Sequence, residues 1–264
     1  MKTLLFFLAL SFILLIFLGP ASSSQQDDIL VTILYDNYAA LEGVETDWGF
    51  SCLIEGTEKV ILFDAGTQSD LLFRNADTLK SDLNSVECVV ISHDHGDHTG
   101  GLIPFLKKKS DVSVFLLSSF QDVLFQEVQK TGAKVVSGQD PNPVCKNAYT
   151  TGETGVEIKE QALILNTNQG LVVITGCAHP GIVKILKKAK LVLNKDINLV
   201  LGGFHLMGTP AAQIEDIITE FRKLGVKKVG ATHCTGDDAI QMFRDEWDEN
   251  FVELGVGRKI SISK

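Results

Sequence analysis

What this chain has little of narrows its reading first. Basic residues are in deficit: 24 Lys and Arg stand against 33 Asp and Glu, a formal net charge of −9. That balance argues against a nucleic-acid groove, which needs a basic face. The two lysine-rich stretches, Lys107–Lys109 and Lys184–Lys190, read as solvated helix faces. No P-loop or other phosphate-cradling glycine motif occurs, which weighs against a site built around pyrophosphate. There is no internal repeat of fixed period and no linker, so residues 25–264 are expected to form one domain. Cysteines number five, an odd count that cannot pair completely. Cys52 and Cys88 fall in apolar runs and read as buried thiols. Cys145 falls in a loop flanked by Pro141-Asn142-Pro143. Cys177 and Cys234 sit beside His179 and His233, where a ligand role, a supporting role and a disulfide all stay open.

One long apolar run, Leu4–Leu18, follows Lys2 and precedes Gly19-Pro20-Ala21-Ser22-Ser23-Ser24. A positive start, an apolar stretch and small residues suited to cleavage predict a secretory signal peptide over 1–24. An uncleaved N-terminal anchor is the alternative, because the run is long for a signal. No cysteine lies near this junction, so nothing there supports lipid attachment. Either way the folded part is expected in an exported compartment. It would meet membrane only if the segment stays uncleaved.

The stretch that organises the chain is Ser92-His93-Asp94-His95-Gly96-Asp97-His98-Thr99-Gly100-Gly101. It offers three imidazoles and two carboxylates, of which Asp97 is the candidate ligand, within six positions, directly after the apolar run Val89–Ile91, which reads as a buried strand. Two apart on a strand end, His93 and His95 would point to one side and share a metal. Gly96 would turn the loop back, so that Asp97 and His98 face a second ion beside the first. The other three of the six histidines, His179, His205 and His233, each follow an apolar run: Leu171–Ile174, Ile197–Leu201 and Val226–Ala231. Histidines placed for packing would not all sit at strand ends.

Around these sites the pattern predicts strands at Ile29–Leu34, Phe50–Ile54, Lys59–Phe63, Glu87–Ile91, Val112–Leu117 and Ala133–Val136. Glu55-Gly56-Thr57-Glu58 signals a hairpin. Tyr35–Asp47 is a polar loop placed to border a substrate cleft. Asp64, at a strand end before Ala65-Gly66, would either orient a metal-bound imidazole or cap a turn. Helical spacing marks Leu71–Leu79, Leu102–Lys108 and Ser119–Lys130, the last opening on a Ser-Ser cap. Gly138–Thr154 reads as one long loop. A hairpin about Asn166–Gly170 joins Ala162–Leu165 to Leu171–Thr175. Helices follow over Ile182–Leu193, Pro210–Leu224 and Asp237–Trp247, and the tail Lys259–Ser263 alternates like an edge strand. Hairpins early and strand–helix alternation later suit an α+β fold, two sheets packed together with helices outside in a four-layer αββα sandwich.

The His-x-His-x-Asp-His stretch resembles the metallo-β-lactamase superfamily, and further segments sharpen the likeness. They are Gly49–Glu55, Ile61–Gly66, Asn75-Ala76, Gly176-Cys177-Ala178-His179-Pro180-Gly181-Ile182, Gly202-Gly203-Phe204-His205-Leu206 and His233-Cys234-Thr235-Gly236. Together they are similar to a branch of metal-dependent hydrolases related to the methanogen synthase of ribofuranosyl-aminobenzene phosphate, an early methanopterin precursor. The resemblance covers nearly all of residues 29–263. It implies that His93, His95 and His179 hold one ion and that Asp97, His98 and His233 hold a second. The chain departs from the wider superfamily at one place, where Cys177 stands for the usual bridging aspartate after a glycine. A thiolate can bind zinc, so Cys177 is a candidate ligand, with a packed thiol as the plainer reading. Zinc is the default ion, one or two per chain. The His/Asp ligands also suit iron, manganese or nickel.

The function this implies is hydrolysis of an ester, phosphoester or lactone of a small molecule. A metal would lower the pKa of bound water to about 7, Asp97 would orient the resulting hydroxide, and His205 would assist the leaving group or support its neighbours. Two alternatives remain. One is a synthase that condenses a phosphoribosyl donor with an aromatic acid. The other is a non-catalytic metal- or ligand-binding protein that has kept the fold.

Overall fold

The computed structural model describes residues 28–264. The expected signal peptide at 1–24 lies outside them. Among the described residues no helix is long and apolar enough to cross a membrane. The chain builds β1 (Ile29–Tyr35), β2 (Ser51–Glu55), β3 (Val60–Phe63), β4 (Val86–Val90), β5 (Ser113–Leu117) and β6 (Lys134–Gly138). It continues with β7 (Pro143–Cys145), β8 (Ala148–Thr150), β9 (Leu163–Thr167), β10 (Gly170–Thr175), β11 (Ile197–Gly203), β12 (Lys228–Thr232) and β13 (Lys259–Ile262). Helices α1 (Ser69–Leu79), α2 (Gly96–Thr99), α3 (Leu102–Lys108) and α4 (Asp122–Lys130) fall in the first half. Helices α5 (Ile182–Leu193), α6 (Ala211–Lys223) and α7 (Asp237–Trp247) fall in the second.

The strands form a seven-stranded sheet, β13-β1-β2-β3-β4-β5-β6, and a six-stranded sheet, β12-β11-β10-β9-β8-β7. Three apolar clusters fix the layering. Val31, Ile33, Cys52, Ile54, Phe63, Cys88 and Val90 meet Leu163, Leu165, Val172, Ile174, Leu199 and Leu201 between the sheets. The alternate residues of the same strands turn outward, because successive side chains of a strand point to opposite faces. Leu53, Leu62 and Val89 pack under α1, α3 and α4 with Leu72, Phe105 and Val128. Leu171, Val173 and Val200 pack under α5, α6 and α7 with Ile185, Phe221 and Phe243. This is the four-layer αββα arrangement. The tail strand β13 lies at a sheet edge, antiparallel to β1, as its alternation predicted.

Three local readings are corrected. The span 138–154 is not one loop: it holds β7 and β8, paired antiparallel, and Cys145 sits in β7. Its Pro, Asn and Thr content hid a short hairpin that exists because β8 docks on β9. Helix α4 starts at Asp122, three residues after Ser119, with Gln121 at its cap. His93 and His95 are not on the strand, since β4 ends at Val90.

The architecture places the site. Strands β3, β4, β5 and β6 run parallel, as do β10, β11 and β12. Their carboxyl ends gather at one edge of the sandwich, where ligands of open α/β sheets bind. Buried Gln161 ties the sheets there: its backbone N–H donates to the Ser92 carbonyl at 2.9 Å and its Nε2 to the Ile91 carbonyl at 2.8 Å.

Candidate metal centre

Each functional loop leaves a strand end: Asp64 after β3, residues 91–98 after β4, Gly176–His179 after β10, Phe204-His205 after β11 and His233 after β12. The loop after β4 closes as a single turn, α2, for which His95 is the cap residue. It is held down by Phe50 N–H on the Asp97 carbonyl at 3.2 Å and Ala65 N–H on the His98 carbonyl at 2.8 Å. Gly96 has open space where a Cβ would go, so the turn does not require it. Gly100 does matter, because a Cβ there would run into the Thr67 carbonyl.

Two donor sets result. His93, His95 and His179 bring their ligand nitrogens within 4.8 Å of one another. Their rings form a near-equilateral triangle with centroid separations of 4.6, 4.8 and 4.7 Å. Asp97, His98, Cys177 and His233 form the second set on the same criterion. His98 Nε2 lies 3.2 Å from Cys177 Sγ, and Asp97 Oδ2 lies 3.5 Å from Nε2 of both His98 and His233. The sets adjoin, with the His93 and His98 rings 4.2 Å apart. Cys177 Sγ therefore stands among the second set's donors. It also belongs to a third cluster, with His205 and Cys234. None of the five cysteines is disulfide-bonded.

The far side of three imidazoles, His93, His98 and His233, is fixed by a partner. Asp64 is wholly buried and does not cap a turn. It accepts from Ser92 N–H on Oδ1 and from Ser92 Oγ–H and His98 Nδ1 on Oδ2, all at 2.7 Å. Because the Ser92 hydroxyl proton is spent on Asp64, His93 Nδ1–H donates to Ser92 Oγ at 2.9 Å. His233 Nδ1 donates to Asn37 Oδ1 at 2.9 Å, and Asn37 Nδ2 returns a bond to the His233 carbonyl at 3.2 Å. Such partners fix the tautomer and leave Nε2 as the inward-facing donor.

The donors fit a divalent cation. His179 Nε2 and His233 Nε2 are buried without any hydrogen-bond partner, which buried polar atoms rarely tolerate. Burial, then the neighbouring imidazoles, push His93 well below the usual histidine range and His179 down to about 4. Both therefore present neutral nitrogen at pH 7, the form a metal takes. Burial also opposes charge on His98, but Asp64 and Asp97 carry its pKa up to about 10. A proton there stands where a cation would. Asp97 is held well below the usual carboxylate range: burial opposes this, and the nearby imidazoles of His233 and His98 prevail. Imidazole, carboxylate and thiol together suit zinc, with iron, manganese and nickel compatible with the harder donors.

Three supporting residues had no motif to reveal them. Glu160, fully buried, accepts the backbone N–H groups of Cys177, Ala178 and His179 at 2.9, 2.8 and 2.9 Å. It pins a loop in which Ala178 takes a left-handed φ of 62°. Burial raises Glu160 to about 7 against those three donors. Trp48 Nε1–H donates to Asp97 Oδ2 at 2.9 Å, and its ring lies 4.8 Å from that of His233. Asn37 falls in the loop expected to border the cleft, which was the only sequence signal for any of the three. His205 lies outside both donor sets. Its ring is 4.1 Å from that of His179, and Cys234 first, by hydrogen bonding, raises its pKa.

Two facing sheets, helices outside and a histidine-rich pocket at the strand ends define a metallo-β-lactamase fold with groups able to hold two ions. Residues 49–188 match the family model of the metallo-beta-lactamase superfamily, and the chain belongs to that superfamily. Over 285 aligned residues it is 30% identical to the 7,8-dihydropterin-6-methyl-4-(beta-D-ribofuranosyl)-aminobenzene-5'-phosphate synthase of Methanocaldococcus jannaschii, covering 89% of this chain and 97% of that one. Among solved structures it is similar to Tm1679, a metal-dependent hydrolase of the beta-lactamase superfamily, with 30% identity, TM-score 0.75, and coverage of 89% and 100%. Human tRNase Z, short form, shares the fold at 14% identity and TM-score 0.59, covering 89% and 100%.

Proposed function

We propose that the protein is a metal-dependent hydrolase of a small-molecule ester, phosphoester or lactone. The carrying observation is the pair of buried, unpartnered Nε2 atoms of His179 and His233, each within a converging donor set. His93, His95 and His179, and Asp97, His98, Cys177 and His233, would hold divalent ions, whose Lewis acidity would ease deprotonation of water near neutral pH. The chain's own residues do the rest. Asp97 remains ionised and accepts the proton side of a water, with Trp48 fixing its Oδ2. Glu160 holds the Cys177–His179 backbone so that the His179 nitrogen keeps its aim. His205, exposed and with a raised pKa, holds a proton at the mouth for the leaving oxygen. Zinc-loaded protein should turn over a panel of generic esters and phosphoesters, and lose that activity with chelator and in His95→Ala. Turnover surviving both would overturn the reading.

A second reading, a synthase, has one observation in its favour: the full-length likeness to the M. jannaschii synthase. Incubation with a phosphoribosyl pyrophosphate and aminobenzoate should then give a ribosylated product. Its absence under conditions that support ester turnover would decide for the hydrolase.

A further inference from the structure

The candidate ions have an apolar neighbour. A cavity of about 330 Å³ opens between α5, α6 and the loop after β11, and two of its walls are His179 and His205. Most of the remaining walls are hydrocarbon: Ile182, Val183, Phe204 and Ile217. Ile182 and Phe204 are almost wholly buried beneath it, while Val183 and Ile217 stand half-exposed. Apart from the two imidazoles, Lys184 is the single charged lining group and is exposed. A cavity of similar size near Asn147, Asn166 and Lys264 is lined mainly by polar groups and includes none of the donor residues.

We infer that this cavity is the substrate subsite, taking an apolar chain or ring attached directly to the group that reacts at the ions. The inference rests on the hydrolase reading and names its substrate class: esters or lactones with a hydrophobic acyl part. Its basis is continuity. His179 is both a donor of the first set and a wall of the cavity, so a reacting carbonyl beside that imidazole has its substituent in the slot. The size follows from known apolar voids. One of roughly 150 Å³ holds benzene, so this one holds about twice that, a chain near eight carbons or a fused bicyclic ring. A charged or strongly hydrated substituent would lose its water there without replacement hydrogen bonds.

The test compares esters of one alcohol with acetate, butyrate, hexanoate, octanoate and 2-naphthoate on the zinc-loaded protein, in wild type, Val183→Trp and Ile217→Glu. The readout is the ratio of kcat/KM for each ester to that for acetate within one preparation, which cancels any loss of active protein. Burying a methylene corresponds to about a fourfold gain, so octanoate should exceed acetate by at least about a hundredfold. Val183→Trp, which fills the slot, and Ile217→Glu, which charges it, should each cut that ratio tenfold or more. Octanoate and naphthoate arms separate a chain from a ring. Binding of free octanoate and 2-naphthoate, measured by calorimetry, gives a second readout independent of turnover. Hydrolysis with a flat chain-length profile, or a profile unchanged in both variants, would overturn the subsite and leave the hydrolase reading standing. Saturable octanoate or naphthoate binding lost in both variants, without hydrolysis of any ester, would keep the subsite as a ligand pocket and remove the hydrolase reading. Neither binding nor turnover would end both.

Discussion

Asp64 Oδ2 and His98 Nδ1 meet at 2.7 Å with both side chains wholly buried, 34 residues apart in the chain. The carboxylate also takes two bonds from Ser92, which in turn holds His93. One buried anion therefore sets the aim of an imidazole in each donor set. Asp64→Asn keeps the shape but supplies an N–H where His98 needs an acceptor. Loss of such a partner weakens metal affinity roughly 10–100-fold. Elemental analysis after dialysis against a weak chelator should show fewer ions per chain than wild type; unchanged content would refute the role.

Cys177 offers a sharper stoichiometric test. Its thiol is pushed up by hydrogen bonding with Cys234 and by burial, so without a cation it stays protonated. With an ion in the second set it should bind as the thiolate. Cobalt-substituted wild type should show sulfur-to-metal charge-transfer absorption, and Cys177→Ala should lose that band together with one ion per chain. Cys177→Asp should lose the band and keep both ions. A band that persists in Cys177→Ala would point instead to Cys234.

Glu160 is expected to matter for stability as well as for the site. Removing its side chain leaves three buried backbone N–H groups without acceptors, each costing about 1–3 kcal/mol. Glu160→Ala should therefore lose at least about 3 kcal/mol in urea unfolding, through a lower midpoint at similar slope. It should also bind fewer ions, because the His179 loop is freed. Glu160→Gln, which keeps an acceptor oxygen, should fall between the two.

The pH dependence has a defined direction at Asp36. This carboxyl is buried, accepts a bond from Thr232 Oγ1 at 2.7 Å, and is raised by burial from 3.8 to about 6. The folded state thus binds its proton more tightly than the unfolded chain does. The stability this contributes is complete below about pH 3.8 and is lost as pH rises through about 6. The loss is on the order of 3 kcal/mol. In chelator-treated protein, unfolding free energy should fall less steeply across that window in Asp36→Asn than in wild type. Parallel curves would show that Asp36 does not titrate there.

Much of this molecule was legible in one dimension. The spans Ile182–Leu193 and Asp237–Trp247 are helices to the residue, because a 3.6-residue apolar period is a local property. The His93–His98 stretch and the strand-end positions of His179 and His233 were equally local, and His93, His95, Asp97, His98, His179 and His233 all lie in one of the two donor sets. Short pairings were less legible. β7 and β8 each span three residues, too few for an alternating pattern, and they exist because β9 offers an edge.

Order in the chain carries periodicity, and so it determined most strands, most helices, the layer count and which residues could be donors. Only the tertiary structure decided what stands behind those donors. Glu160 under the Cys177–His179 backbone, Asn37 on His233, 196 residues away, and Trp48 on Asp97 are meetings across strand ends and sheets. No period encodes them, because they arise when the sheets pack and their loops share one edge. The joining of Cys177 to both the second donor set and the His205–Cys234 cluster has the same origin, as does the apolar cavity beside His179.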